Sequence, residues 1–260
     1  MPSERKNLML TDPASPSRLD YKWKALIAVA IGTFMSTLDS SIVNLAMPTL
    51  GHEFGVEITT VEWVAMAYML ALAGLLISMG RLSDMVGHKR VYNVGFAIFT
   101  LGSLLCALAQ GIHALILFRV VQGAGAAMLA SNGAAILTAA FPRSERGKAM
   151  GLNGTIVGAG LTVGPSLGGL LIHAFGWRSI FTINLPIGVI GILLASRLLR
   201  PDSPVANNER FDLPGALALL SSLTALLLAL SRGEAWGWSS TPTVGLFALS
   251  LASLILFIRI

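Results

Sequence analysis

Eight continuously apolar stretches dominate this chain, over residues 25–47, 61–79, 91–109, 115–139, 150–172, 180–199, 213–230 and 244–258. About 20 helical residues cross the ~30 Å hydrocarbon core of a bilayer. Inside that core every backbone N–H and C=O needs an internal partner, so only helices and closed barrels span it. Barrel strands read as alternating segments of about ten residues. These runs are longer and do not alternate, which predicts an all-α polytopic membrane protein with eight spans. Composition agrees: 54% of residues are apolar and 12% charged, the latter about half of the ~25% usual in soluble domains.

The basic residues sort by connection. Arg5, Lys6, Arg18, Lys22 and Lys24 precede the first run; Arg81, Lys89 and Arg90 follow the second; Arg143, Arg146 and Lys148 follow the fourth; Arg197, Arg200 and Arg210 follow the sixth; Arg259 ends the eighth. Only Arg178 and Arg232 fall on the other side, and Arg119 lies inside a span. This asymmetry predicts a cytoplasmic N-terminus in a cell (inner) membrane. The net charge of +5 is dispersed in short clusters between apolar runs, which argues against nucleic acid. Residues 1–21 read as a disordered cytoplasmic tail, 22–200 as a six-helix bundle, 201–212 as a cytoplasmic linker and 213–260 as two further helices. Cys106 is the one cysteine, which excludes an internal disulfide.

Two connections resemble each other. Gly80, Leu82, Gly87, Lys89 and Val91 align with Gly169, Leu171, Gly176, Arg178 and Ile180. The first set follows the second span and the second set follows the fifth, on opposite sides of the membrane. Three spans therefore repeat in inverted topology, a layout common in secondary transporters.

Asp39 is the only acid well inside a run and Arg119 the only base. On insertion scales each costs about 2.5–3.5 kcal/mol at a helix centre, so each is a candidate functional group. A structural hydrogen bond for Asp39, or a side chain reaching the interface for Arg119, would also account for them. Thr33, Ser36, Thr37, Ser40, Ser41 and Asn44 share one face of the first helix. That stripe faces either a cavity or another helix. Asp39 falls at its edge, beside Ser36. In the fourth run Arg119, Gln122, Gly123 and Ala126 share a face, which makes Gln122 a candidate for the same cavity. In the fifth run Gly160, Gly164 and Gly168 are spaced by four, with Gly154 and Gly158 as a second pair. Pro165 removes one backbone donor, which predicts a bend near Leu161. The glycine face suits either a rocking helix or static close packing. No P-loop, no nucleophile–base pair and no metal-ligand spacing occurs, so neither cofactor nor metal is expected.

In order along the chain, these segments resemble the major facilitator superfamily. They are most similar to its fourteen-helix drug:proton antiporters of the EmrB/QacA type. Residues 38–48 resemble that family's first-helix motif, and Gly80 to Val91 its loop between helices two and three. Leu115 to Ala127 resembles the fourth-helix motif. Gly158 to Gly169, with Gly160, Gly164-Pro165 and Gly168-Gly169, resembles the antiporter helix motif. Gly176-Trp177-Arg178 and Asn184-Leu185-Pro186 resemble the stretch around helix six.

The resemblance implies proton coupling through Arg119, with Asp39 a group for protonation or for binding a cation. It also implies a cytoplasmic charge latch from Gly80, Asp84, Gly87, Lys89 and Arg90, and a Gly-Pro helix at the interface with a C-terminal half. Met85 stands where the loop motif carries a basic residue, and Ser41 where the first-helix motif carries threonine. The implied function is proton-coupled efflux of small apolar or cationic compounds. Its partners are lipid, substrate and protons, with Asn44, Ser36, Ser40 and Gln122 as further site candidates. The family has six more helices after the first eight. The expectation is therefore a truncated chain, or one completed by a second subunit, whose Gly160/Gly164/Gly168 face lacks its partner. The alternative is a non-transporting membrane module.

Overall fold

The computed structural model describes residues 18–201 and 212–259. All its elements are helical. They are α1 (Arg18–Phe54), α2 (Ile58–Val86), α3 (His88–Ala107), α4 (Ile112–Ala140), a 3-10 turn at Arg143–Glu145, α5 (Arg146–Phe175), α6 (Ser179–Thr182), α7 (Asn184–Leu198), α8 (Leu213–Trp236) and α9 (Thr241–Arg259). Eight of the resulting rods are long and apolar enough to cross a membrane, α6 and α7 together forming the sixth, Ser179–Leu198. Each coincides with one apolar run, most extending beyond it at both ends, the third and sixth stopping one or two residues short of its C-terminal end. The expected tail at 1–21 lies largely outside the described residues, as does nearly all of the 201–212 linker.

Helix ends follow local chemistry. Gly87 and Gly176 both adopt positive φ, 112° and 79°. Each donates its N–H back to the preceding helix, Gly87 to the Ser83 carbonyl at 2.8 Å and Gly176 to the Ile172 carbonyl at 3.0 Å. These glycines are the aligned pair of the internal repeat, so the repeat shares a backbone turn as well as residues. The sixth span breaks after Thr182 because Pro186 has no N–H to offer the Thr182 carbonyl. Asp212 caps α8 by accepting from the Gly215 N–H at 2.8 Å, with Pro214 in the first turn.

Helix pairing follows the same exchange of halves. The α2–α4 contact is matched by α5–α1, and α3–α4 by α7–α1, while α1–α4 and α3–α7 map onto themselves. Two apolar clusters form the core. One holds Tyr68, Tyr92, Phe96 and Phe99; the other holds Leu38, Ile42, Trp177 and Phe181. Leu101, Leu117, Leu170 and Ile190 point outward and are more than half exposed, as lipid-facing side chains are. The hairpin α8–α9 docks on α2, where a Cβ on Gly74 would lie 2.5 Å from Leu220 Cδ1. Ser222 ties the hairpin together by donating to the Ser250 carbonyl at 2.9 Å.

One expectation is corrected. The Gly160/Gly164/Gly168 face does not lack a partner, because it is buried against α1 within the bundle. A Cβ on Gly160 would collide with Thr37, one on Gly164 would lie 2.6 Å from Ser41 Cβ, and one on Gly168 would lie 3.0 Å from Ile42 Cγ2. The open face carries Gly154 and Gly158 instead, with nothing within 4 Å of either Cβ position. The helix runs unbroken through Pro165. The carbonyl that Pro165 leaves without a donor belongs to Leu161, and Ser41 Oγ on α1 donates to it at 2.9 Å. Gly164→Leu is expected to lower stability by about 1–3 kcal/mol through overpacking, whereas Gly158→Leu leaves it unchanged. Denaturant unfolding in detergent micelles checks both.

Candidate functional site: a buried charge layer beside an uncharged cavity

Asp39 and Arg119 meet. One oxygen of the Asp39 carboxylate accepts from Arg119 Nη1 at 2.5 Å, and both side chains are fully buried. The other accepts from Gln122 Nε2 at 2.8 Å and from Asn184 Nδ2 at 2.7 Å. Arg119 also donates to Gln122 Oε1 at 2.6 Å, and through Nε to the Val64 carbonyl at 3.0 Å. Ser103 Oγ accepts from Gln122 and Asn184 at 2.8 and 3.3 Å, and donates to the Phe99 carbonyl at 2.9 Å. Helices α1, α2, α3, α4 and α7 thus each contribute to one polar layer. The guanidinium lies over the Tyr68 ring, 4.2 Å from its centroid, with Phe181 at 6.0 Å.

Packing makes this layer possible. At Gly102 the backbone of Gln122 lies 2.7 Å from where a Cβ would sit. Glycine therefore lets α3 and α4 touch, which brings Ser103 within reach of the Gln122 amide. Charges in a low-dielectric interior persist only when paired and further hydrogen-bonded, and here each charged group has several partners. Arg119 is held in the interior rather than reaching the interface. Ser103 and Asn184 carry the layer but were not among the expected site residues. Each is a small polar residue within an apolar run, in the last part of span three and at the break of span six. That placement was the available signal.

A separate cavity of about 310 Å³ opens among α1, α2, α4 and α5. Its polar wall is Thr33, Ser36, Thr37 and Ser40 from α1, with Asn153 from α5; Tyr68, Met69, Leu72, Leu129 and Leu161 complete much of the rest. Thr33 donates to Asn153 Oδ1 at 3.0 Å. The expected single stripe therefore divides. Ser36 and Ser40 line the cavity, Ser41 serves the α5 contact, and Asn44 is exposed outside both. Asp39 and Gln122 do not line the cavity; both sit behind its wall.

The residues expected to form a latch cluster at the end of α2. Asp84 lies 3.7 Å from His88 Nε2, and His88 Nδ1 lies 3.1 Å from Asn132 Oδ1. Lys89 reaches elsewhere, donating to the Ser196 and Leu199 carbonyls at 2.6 and 2.7 Å. It thereby satisfies two carbonyls at the C-terminus of α7. Gly87 makes the turn, and Gly80 packs 3.9 Å from Ser131 at its Cβ position. Arg90 sits exposed beside it. Among the described residues no group of three His, Cys, Asp or Glu side chains is placed to hold a metal.

The sequence profile of the Major Facilitator Superfamily matches residues 29–259. This chain belongs to the major facilitator superfamily. It is 43% identical over 211 residues to riboflavin transporter RibZ of Clostridioides difficile (strain 630), covering 81% of this chain and 46% of that protein. It is 38% identical over 234 residues to multidrug resistance protein Stp of Mycobacterium tuberculosis, covering 90% of this chain and 43% of the relative. The chain thus spans about half the length of the curated relatives it matches. The fold is shared with the crystal structure of a bacterial homologue of the human lysosomal transporter Spinster, inward-facing and unoccupied. The TM-score is 0.63 at 16% identity, covering 94% of this chain and 60% of the other. The family is one of membrane transporters.

Removing one partner of a buried ion pair strands the other. Arg119→Leu is expected to destabilise the bundle by about 3–5 kcal/mol. The double variant Asp39→Leu/Arg119→Leu recovers most of that loss. Unfolding midpoints of the two variants in micelles make the comparison.

Proposed function

We propose that this chain forms the N-terminal part of a proton-coupled exporter of small drug-like compounds, working by alternating access. The observation that carries the reading is the Asp39–Arg119–Gln122 layer, buried against an otherwise uncharged cavity. An ionisable carboxyl held among five helices is suited to storing and releasing a proton. The adjacent cavity is suited to a small ligand. Separating the two lets the proton and the substrate be handled by one bundle without competing for one group.

Relatives named for multidrug resistance, methylenomycin A resistance and tetracenomycin C resistance and export support efflux. A relative named as a riboflavin transporter supports a polar, ring-bearing substrate as well. The charge bias of the connections supports a cell membrane location with the N-terminus in the cytoplasm. The cluster of Asp84, His88, Lys89 and Arg90 at that end is the proposed latch between inward and outward states. Residues 22–200 are the proposed transporting bundle and α8–α9 an addition to it. A further bundle, on the same polypeptide or a second one, supplies the opposite wall.

The energetics suffice. A potential of 100 mV supplies ~2.3 kcal/mol per charge, and one pH unit ~1.4 kcal/mol. One proton exchanged for one neutral substrate sustains a gradient of roughly a few hundred-fold. Asp39→Asn is expected to reduce gradient-driven export by about tenfold or more, about 1.4 kcal/mol in the limiting step. The measurement is substrate flux in proteoliposomes of the assembled transporter under an imposed pH difference. Export that persists unchanged with a protonophore contradicts the coupling. Flux through the 260-residue chain reconstituted alone is expected to be absent, with ligand binding retained.

A further inference from the structure

We propose that Tyr68 is the gate through which an occupant of the cavity acts on the Asp39–Arg119 pair, and that this occupant is an uncharged molecule bearing carbonyl-type acceptors. The inference rests on the reading of that cavity as the substrate site.

Among the described residues lining the cavity, Tyr68 is the one whose side chain also touches the charged pair. One face of its ring lies under the Arg119 guanidinium. Its edge packs near Phe99, with ring centroids 6.5 Å apart and planes at 84°. The ring is fully buried, and it separates the ion pair from the cavity. Its backbone is pinned, because a Cβ on Gly123 of α4 would lie 2.6 Å from the Tyr68 carbonyl oxygen. Motion at this position therefore falls to the side chain.

The phenol is poorly satisfied where it stands. Its O–H points at the Ser36 carbonyl from 3.4 Å, well beyond the ~2.7–2.8 Å usual for a hydroxyl donor. A buried donor with a long bond has more to gain from a better acceptor. Two other donors face the same space: Ser40 Oγ and Asn153 Nδ2 have no acceptor among the described residues. Three under-used donors on an uncharged wall select a ligand with acceptors. Among the described residues the cavity wall carries no acid and no base, and the nearby carboxylate is already engaged by Arg119, Gln122 and Asn184. A cation thus finds no counter-charge on this half of the wall, and an uncharged ligand avoids the cost of burying a charge. When such a ligand accepts from Tyr68, the phenol follows it and the ring leaves the guanidinium. The pair is then open to the cavity.

The test has two arms on the chain in lipid nanodiscs. The first needs no ligand and uses Cys106, which is buried within the layer, 3.8 Å from Gln122 Oε1. Tyr68→Leu removes the ring and is expected to speed N-ethylmaleimide alkylation of Cys106 about tenfold relative to Tyr68→Phe, which keeps it. Equal rates overturn the gate. The second arm measures riboflavin affinity by fluorescence quenching in wild type, Asp39→Asn, Tyr68→Phe and the double variant. Tyr68→Phe is expected to weaken binding about fivefold. Asp39→Asn is expected to change affinity only where the Tyr68 hydroxyl is present, so the two effects do not multiply. Independent effects overturn the coupling. Failure of wild type to bind riboflavin, or equal binding of the cation ethidium, overturns the ligand class and with it this reading of the cavity.

Discussion

An arginine and an aspartate buried together in an apolar bundle dictate much of the surrounding design. Either charge is costly in a low-dielectric interior without the other, and the pair alone leaves lone pairs and N–H groups unfilled. The structure fills them from three directions. Gln122 bridges both members, Asn184 donates to the carboxylate, and the Val64 carbonyl takes the guanidinium Nε, while Ser103 accepts from the two amides. Each partner comes from a different helix, and each helix must then approach closely. The glycines at 102 and 123 permit that approach, because a side chain at either would meet the backbone of its neighbour.

The same constraint shapes the cavity. With Asp39 and Arg119 consumed in the layer, the wall beside it is left with hydroxyls, one amide and apolar carbon. Polar residues of α1 serve three destinations. Asp39 turns inward to Arg119, Ser36 and Ser40 face the cavity, and Ser41 repairs the α5 carbonyl opened by Pro165. One helix therefore joins the proton-binding candidate, the proposed ligand wall and the glycine face of α5. A shift of α1 against α5 would be felt by all three, which is the sort of connection that the proposed alternating access requires.

Much of this was legible in the sequence. The eight spans followed from run length, because the bilayer imposes a length that soluble folds do not. The repeat turns at Gly87 and Gly176 were visible because positive φ demands a particular residue. Asp39 and Arg119 stood out because charge in hydrocarbon is costly. Their pairing was not legible, since 80 residues separate them and helical periodicity specifies a face but not a neighbour. For the same reason the glycine face of α5 was assigned to an absent partner when α1 covers it. Ser103 and Tyr68 escaped notice, and Asn184 entered only through a motif resemblance, because small polar and aromatic side chains are ordinary in membrane helices. Only three-dimensional proximity to the pair distinguishes them.

The proposed coupling centres on Asp39 as the group that would exchange a proton from within this layer. Infrared difference spectroscopy of the chain in lipid, recorded as pH is lowered, observes that group directly. The prediction is a protonated-carboxyl stretch that grows on acidification and is missing in Asp39→Asn. A band that survives the substitution, or the lack of any such band across the pH range in which the protein stays folded, would contradict it.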